Sequence, residues 1–349
     1  MRAVFVEGLG KMTVKDAEIP QVKEGTILLK VLACAVCGSD LRIFVSGNNR
    51  VSYPAIIGHE MVGEIVGIGK GVERYKEGDR VAIGADIPCG KCPWCLNDIG
   101  NCCDDNYAVG YQFSGGYAQY CLLEPVVVKY GPICKIPKGF EADFATIAEP
   151  LGCCINGLER AFFQKGKSVL VFGAGPVGIL LIKLAKAWGA ALTVMCDIDQ
   201  DRLRMAEIAR ADVEINTSQE NLKARVMTLT QQKGIDAIFT ACPSPEAQEQ
   251  AIGIVSKRGC VNLFGGLAGG SPKIAVDSNF IHYREAYVTG SHGSTPRQHR
   301  HALELIVQNK INVADLITHR FPLEEIHQAF DVVKNKRGLK VLVKPNESM

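Results

Sequence analysis

"SVLVFGAGPVG", Ser168 to Gly178, decides how this chain folds. A five-residue apolar run ends on Gly173. The pattern G-x-G-x-x-G then follows as Gly173, Gly175 and Gly178, and it opens the helical stretch "PVGILLIKLAKAWG". Proline at the first turn and glycine after the end mark that helix. Alone, the glycine pattern is a weak signal. Here a strand precedes it, a helix follows, and Asp197 closes the next apolar run about twenty residues on, which is the context a dinucleotide-binding βαβ unit requires. Gly173 makes the tight turn. Gly175 lets the backbone approach a pyrophosphate, and the helix N-terminus supplies amide donors. Pro176, Val177 and Leu267 belong to the same expected cofactor set. Asp197 can accept from both ribose hydroxyls, which favours NAD; the added phosphate of NADP would meet its charge. Arg202, one helical turn on, either stacks on adenine or binds a phosphate, or is a solvated helix residue.

Working outward, "ALTVMC", "DAIFTAC" and "GCVNLFGG" read as further strands. Helices over "DQDRLRMAEIARA" and from Glu246 to Ser256 alternate with them. This alternation demands a parallel, doubly wound sheet with crossover helices. Before about Leu151 the texture differs. "TILLKVLA", "MVGEIVGIG" and "DRVAIG" are short strands divided by glycine and proline turns. After about Arg284 come "AYVTGSHGS", a helix from Pro296 to Asn309, and a last strand "KVLVK", which suggests a return to the first sheet. The expected organisation is residues 1–151, 152–285 and a returning 286–349. A chain of 349 residues can bury a full core in each of two domains.

Composition excludes several classes. With 47% apolar and 22% charged residues the chain is ordinary for a soluble protein, and a net charge of +2 is too small to argue for nucleic acid or an anionic membrane. No apolar run is long enough to span a bilayer. "MRAVFVEGLG" lacks a secretory core, so a cytoplasmic protein is expected. Its fourteen cysteines are then read as metal ligands or buried residues rather than disulfides.

"CGKCPWCLNDIGNCC" places Cys89, Cys92 and Cys95 two residues apart, with Cys103 seven further on. Short spacers let thiolates turn inward around one ion, and four of them make a closed, structural zinc site. A ferredoxin motif wants a cysteine where Ile99 stands. Cys102 is a rival to Cys103. A second set has no such spacing: Cys37 in "CGSDLRIF", His59 and Glu60 in "GHEMVGEIVGIG", and Glu149 in "AEPLGC". Cysteine, histidine and carboxylate drawn from separate loops are what an open catalytic zinc uses. On residue type alone, a satisfied core histidine is the better reading of a lone histidine such as His59, and Glu149 also reads as a helix cap.

In these motifs the sequence resembles the zinc-dependent medium-chain dehydrogenase/reductase family, and within it the sorbitol (polyol) dehydrogenase branch. "CGSD", "GHEMVGEIVGIGKGV", the four-cysteine lobe, "AEPLGC", "GAGPVG" and "THRFPL" occur in the family's order over essentially the whole chain. The resemblance implies a GroES-like β-rich catalytic domain interrupted by a Rossmann domain. It implies two zinc ions per chain. Cys37, His59 and either Glu60 or Glu149 would serve the catalytic one, and Cys89, Cys92, Cys95 and Cys103 the structural one. It gives Ser39 the task of taking the substrate proton, where residue type alone reads a turn serine. It also implies a homodimer or homotetramer and a small alcohol or ketone as partner. The expected activity is NAD-linked oxidation of a polyol, sugar alcohol or polyol phosphate. A threonine-type amino alcohol or a simple secondary alcohol is the rival substrate, and a non-catalytic thiol sensor is the rival class. Two departures stand out. Arg42 occupies a position where relatives carry a relay histidine, and arginine does not release its proton near neutrality. "TGSHGSTP" lacks a polyol-contacting arginine, leaving His292 and Ser294 as hydrogen-bonding groups.

Overall fold

Ser168–Phe172 forms an inner strand of a six-stranded sheet in the computed structural model, which describes residues 1–267 and 272–347. The order is Val213–Asn216, Leu192–Asp197, Ser168–Phe172, Ile235–Thr240, Val255–Leu263, Tyr287–Gly290. Every pairing is parallel. Numbered along the chain, the strands run 3-2-1-4-5-6, the doubly wound order that reverses beside the first strand. Leu170 and Val171 are fully buried, as a strand covered on both faces requires. Leu170 stands opposite Val194 on one side and Ile238 on the other.

The crossover helices start where their caps place them. Asp199 accepts from the amides of Asp201 and Arg202, and Ser244 from that of Ala247. Proline opens Pro176–Ala187 and Pro245–Ile252. The latter helix ends before Ser256, the expected limit, because Val255 is already paired with Ile235. Tyr287–Gly290 pairs with Val255–Leu263, so the sheet continues past residue 285, where the sequence placed a boundary. Residues 153–292 form this unit, and residues 1–152 with 293–349 form the other.

The second unit is built on a seven-stranded sheet in the order Ile317–Pro322, Lys340–Lys344, Ile27–Ala35, Glu60–Ile68, Arg80–Ile83, Ile133–Lys135, with Tyr120–Leu123 also pairing Ile27–Ala35. The last strand therefore does return. At the end of Ile27–Ala35, Ala35 faces Glu60 on one side and Leu342 on the other. That register brings the last strand alongside the start of Glu60–Ile68. Ile27, Leu29, Val31, Ile65, Val341 and Val343 are fully buried, each contributing roughly 1.5–3 kcal/mol of transfer free energy. Asp143 ties the return in place: its carboxylate accepts from Arg320 Nε at 2.7 Å and Lys344 Nζ at 2.6 Å. None of the fourteen cysteines is joined in a disulfide among the described residues. Among the described residues, no helix is long and apolar enough to cross a membrane.

Candidate metal and cofactor sites

Cys37 sits just past the strand Ile27–Ala35 and caps the helix Gly38–Ser46. Its backbone N–H donates to Asp40 Oδ2 at 2.9 Å, which fixes the turn. His59 arrives from the other side through Gly58, whose φ is +99°. A Cβ at Gly58 would lie 2.9 Å from Cys34 Sγ and 3.0 Å from the Tyr117 ring, so only glycine delivers the chain here. Asp40, fully buried, accepts from His59 Nδ1 at 3.1 Å and from the Tyr117 hydroxyl at 2.8 Å. Nδ1 is thereby the protonated nitrogen, and Nε2 is left facing Ser39 Oγ at 3.3 Å. Burial disfavours the charged imidazole, but the Asp40 carboxylate outweighs it and raises the His59 pKa well above its ordinary value. For Asp40, burial works upward, and His59 with the amide and hydroxyl donors brings the pKa below its usual range.

Donor atoms of Cys37, His59 and Glu60 all lie within 4.8 Å of one another. A thiol, an imidazole nitrogen and a carboxylate so disposed form a donor set that zinc accepts. Glu60 is also half of a buried ion pair. Lys340 Nζ donates to its Oε1 at 2.5 Å and also to Oε2, and both side chains are almost wholly buried. Burial pushes the Lys340 pKa down, and Glu60 more than restores it, so the ammonium stays charged. Glu149, in the first turn of Ala148–Arg160, is buried but stands outside the donor trio. Burial raises its pKa to about 7; Glu60 and Asp86 add to the rise, while His59 and Lys340 oppose it.

Other expected residues are placed differently. Arg42 is exposed on the helix Gly38–Ser46. Ser294 is buried, with its amide donating to Asp86 Oδ2 at 3.0 Å. Asp40, Tyr117 and Lys340 are the residues that sequence reasoning missed. Asp40 had a signal, since a carboxylate three residues after a capping position reaches back to that residue's amide. Nothing local marked Lys340.

The four-cysteine loop closes as its spacing predicts. Cys89, Cys92, Cys95 and Cys103 bring their sulfurs within 4.8 Å of one another, whereas Cys102 is exposed. Individual separations are 3.4 Å for Cys92–Cys95 and 3.9 Å for both Cys89–Cys95 and Cys92–Cys103. Zinc–sulfur bonds near 2.3 Å at tetrahedral angles need edges of about 3.8 Å. Backbone amides support the sulfurs: Cys89 N–H donates to Cys103 Sγ at 3.3 Å and Cys92 N–H to Cys89 Sγ at 3.4 Å. The Asp104 and Cys95 amides lower the Cys92 pKa to about 6, and burial pushes Cys95 up to about 12.

In the six-stranded unit the glycine loop has the geometry its pattern implies. Gly173 has φ +105°, and a Cβ at Gly178 would lie 1.9 Å from the Gly173 carbonyl oxygen. At Gly175 the nearest atom to an added Cβ is Arg202 Nη2, at 3.5 Å. The chain's own packing does not demand glycine there, and the space over the helix N-terminus fits an approaching pyrophosphate. Asp197 Oδ2 accepts from the Ala174 amide at 2.8 Å, so its carboxylate borders the loop. Arg202 is buried rather than solvated, and burial lowers its pKa against the pull of Asp197 and Asp199. Leu267 is half-buried beyond Val255–Leu263.

Residues 23–134 match the alcohol dehydrogenase GroES-like domain, and residues 176–308 match the zinc-binding dehydrogenase family. The chain is 31% identical to a sorbitol dehydrogenase of Halalkalibacterium halodurans, covering 97% of each protein. It is 29% identical to a D-arabitol-phosphate dehydrogenase of Enterococcus avium, over 97% of this chain and 95% of the relative. It is 32% identical to an L-threonine 3-dehydrogenase of Pyrococcus furiosus, over 94% and 93%. A solved zinc-binding dehydrogenase of Sinorhizobium meliloti bound to NADP superposes with a TM-score of 0.90 at 29% identity, covering 99% of each chain. An Escherichia coli alcohol dehydrogenase complexed with NADH gives 0.89 at 26% identity, also over 99% of each.

Proposed function

Since the chain belongs to the zinc-dependent medium-chain dehydrogenases, in their polyol branch, we propose that it oxidises the secondary alcohol of a polyol, sugar alcohol or polyol phosphate to the ketone with NAD. One observation carries this reading: the donors of Cys37, His59 and Glu60 converge while Asp40 holds the His59 tautomer. Zinc bound there supplies a Lewis acid that brings a hydroxyl pKa towards neutrality, and a nicotinamide supplies the hydride acceptor. The remaining work falls to the chain. Cys37 and His59 hold the metal, and Asp40 keeps Nε2 of His59 free for it. Glu60, neutralised by Lys340, stays in reserve as an exchangeable carboxylate. Glu149, with a pKa near neutrality in the metal-free protein, is suited to holding a proton or a water beside the site. Ser39 Oγ, beside His59 Nε2 and partly exposed, would accept the proton of the substrate hydroxyl as its own proton passes to water. Cys89, Cys92, Cys95 and Cys103 hold a second zinc that ties down their loop. Asp197 beside the glycine loop favours NAD through the ribose hydroxyls.

Elemental analysis and a dehydrogenation screen test the reading together. Two zinc ions per chain are expected, with NAD reduction on polyols or their phosphates. A chain holding two zinc ions that turns over none of the polyols, polyol phosphates, threonine or simple secondary alcohols would refute it.

A further inference from the structure

Arg50 stands over the face of Tyr111, its Cζ 4.8 Å from the ring centroid. The Tyr111 ring lies 5.7 Å from the His59 ring, and Ser39 Oγ lies 3.3 Å from His59 Nε2. The guanidinium is therefore one aromatic ring away from the proposed metal ligands. Its backbone is pinned, since the Arg50 amide donates to Asn48 Oδ1 at 2.9 Å. The side chain as a whole is half-buried. Nε and Nη2 are both shielded from solvent and have no hydrogen-bond partner among the described residues. A buried donor left unsatisfied costs about 1–3 kcal/mol, and more when charged. The face of Tyr111 returns roughly 0.5–2 kcal/mol of that. A guanidinium fork fits a planar or tetrahedral oxyanion through two parallel N–H bonds, and few other ligands complete it.

We propose that Arg50 receives an oxyanion carried by the substrate, so that the alcohol oxidised here is an anionic one rather than a neutral polyol. This rests on the dehydrogenase reading above and narrows it. Phosphate esters of sugar alcohols and hydroxy acids such as threonine share the required chemistry. Arg42, the arginine that departs from the relatives' relay histidine, is exposed on its helix and serves as the control.

The test uses the zinc-loaded enzyme and matched substrate pairs: D-arabitol against its phosphate, and L-threonine against the amino alcohol lacking the carboxylate. The anionic member of one pair is expected to be preferred by about a hundredfold or more in kcat/KM, and which pair shows it identifies the oxyanion. Arg50→Gln should cut kcat/KM for that anion at least about thirtyfold and for its neutral partner less than about threefold. Arg50→Lys should recover part of the loss, and Arg42→Gln should change neither. Calorimetric binding of inorganic phosphate and of acetate supplies a readout that needs no turnover. At least one should bind the wild type and lose its affinity in Arg50→Gln. Equal probe binding by wild type and Arg50→Gln, or an anion preference that survives Arg50→Gln, would overturn the proposal. Absence of turnover on every pair counts against the dehydrogenase reading, while probe binding still decides Arg50.

Discussion

Two metal-donor clusters lie in one unit of this molecule and are built in opposite ways. Cys89, Cys92, Cys95 and Cys103 come from one loop, carry one kind of donor, and are supported by the loop's own amides. Cys37, His59 and Glu60 are of three kinds, and their supports come from Asp40, Tyr117 and Lys340. The first cluster can saturate an ion by itself. The second holds its donors in a chosen charge and tautomer with outside groups, and even with Glu60 engaged its three donors would leave a position open. Closure is thus a local property, while openness has to be organised by the fold.

The sharpest way to break this contrast is a pair of substitutions. Cys37→Ser should abolish turnover with little change in Tm. Cys92→Ser should lower Tm and remove one zinc, while the molecules that remain folded keep their kcat. Equal losses of kcat and Tm in both variants would mean that the two clusters do not divide the work. Lys340→Met comes next. It leaves Glu60 buried without its partner, a loss expected near 3–5 kcal/mol in urea unfolding. A neutral result would show that water or a rearrangement already serves Glu60.

Glu149 gives a pH signature. Between its ordinary pKa of 4.5 and about 7, the native metal-free protein holds a proton that the unfolded chain has released. Stability therefore falls as pH rises through that window. Metal-stripped wild type should lose up to roughly 3 kcal/mol more than Glu149→Gln across it, at 1.36 kcal/mol per pKa unit. Parallel pH profiles would remove the role of burial at Glu149. The smallest effect is expected from Asp40→Asn, which should weaken zinc affinity or activity about 10–100-fold. Zinc titration by competition with a chelator reads that change.

The same contrast explains what the sequence disclosed. The four cysteines and the glycine loop were legible because their spacing is their geometry. Strand and helix alternation gave the parallel sheet, since continuous apolar runs such as Leu170 and Val171 announce burial on both faces. The second cluster was legible only as residue types, and its identity came through resemblance. Asp40 lies inside "CGSD", but its bond to His59 spans 19 residues, and no local pattern marks that partner. Arg42 drew attention by position, yet it is exposed, while Arg50 has Nε and Nη2 shielded from solvent. Lys340 meets Glu60 across a separation of 280 residues, and no window of sequence encodes that meeting.

That separation also orders events in time. During synthesis Glu60 leaves the ribosome 280 residues ahead of Lys340, a lag of roughly 15–60 s at about 5–20 residues per second. The cysteine loop can close long before then, with every donor already made. The Cys37 cluster waits for the last strand of the chain. A nascent protein that stops before Lys340 therefore carries the four-cysteine loop and the glycine loop complete, with Glu60 still lacking its ion-pair partner.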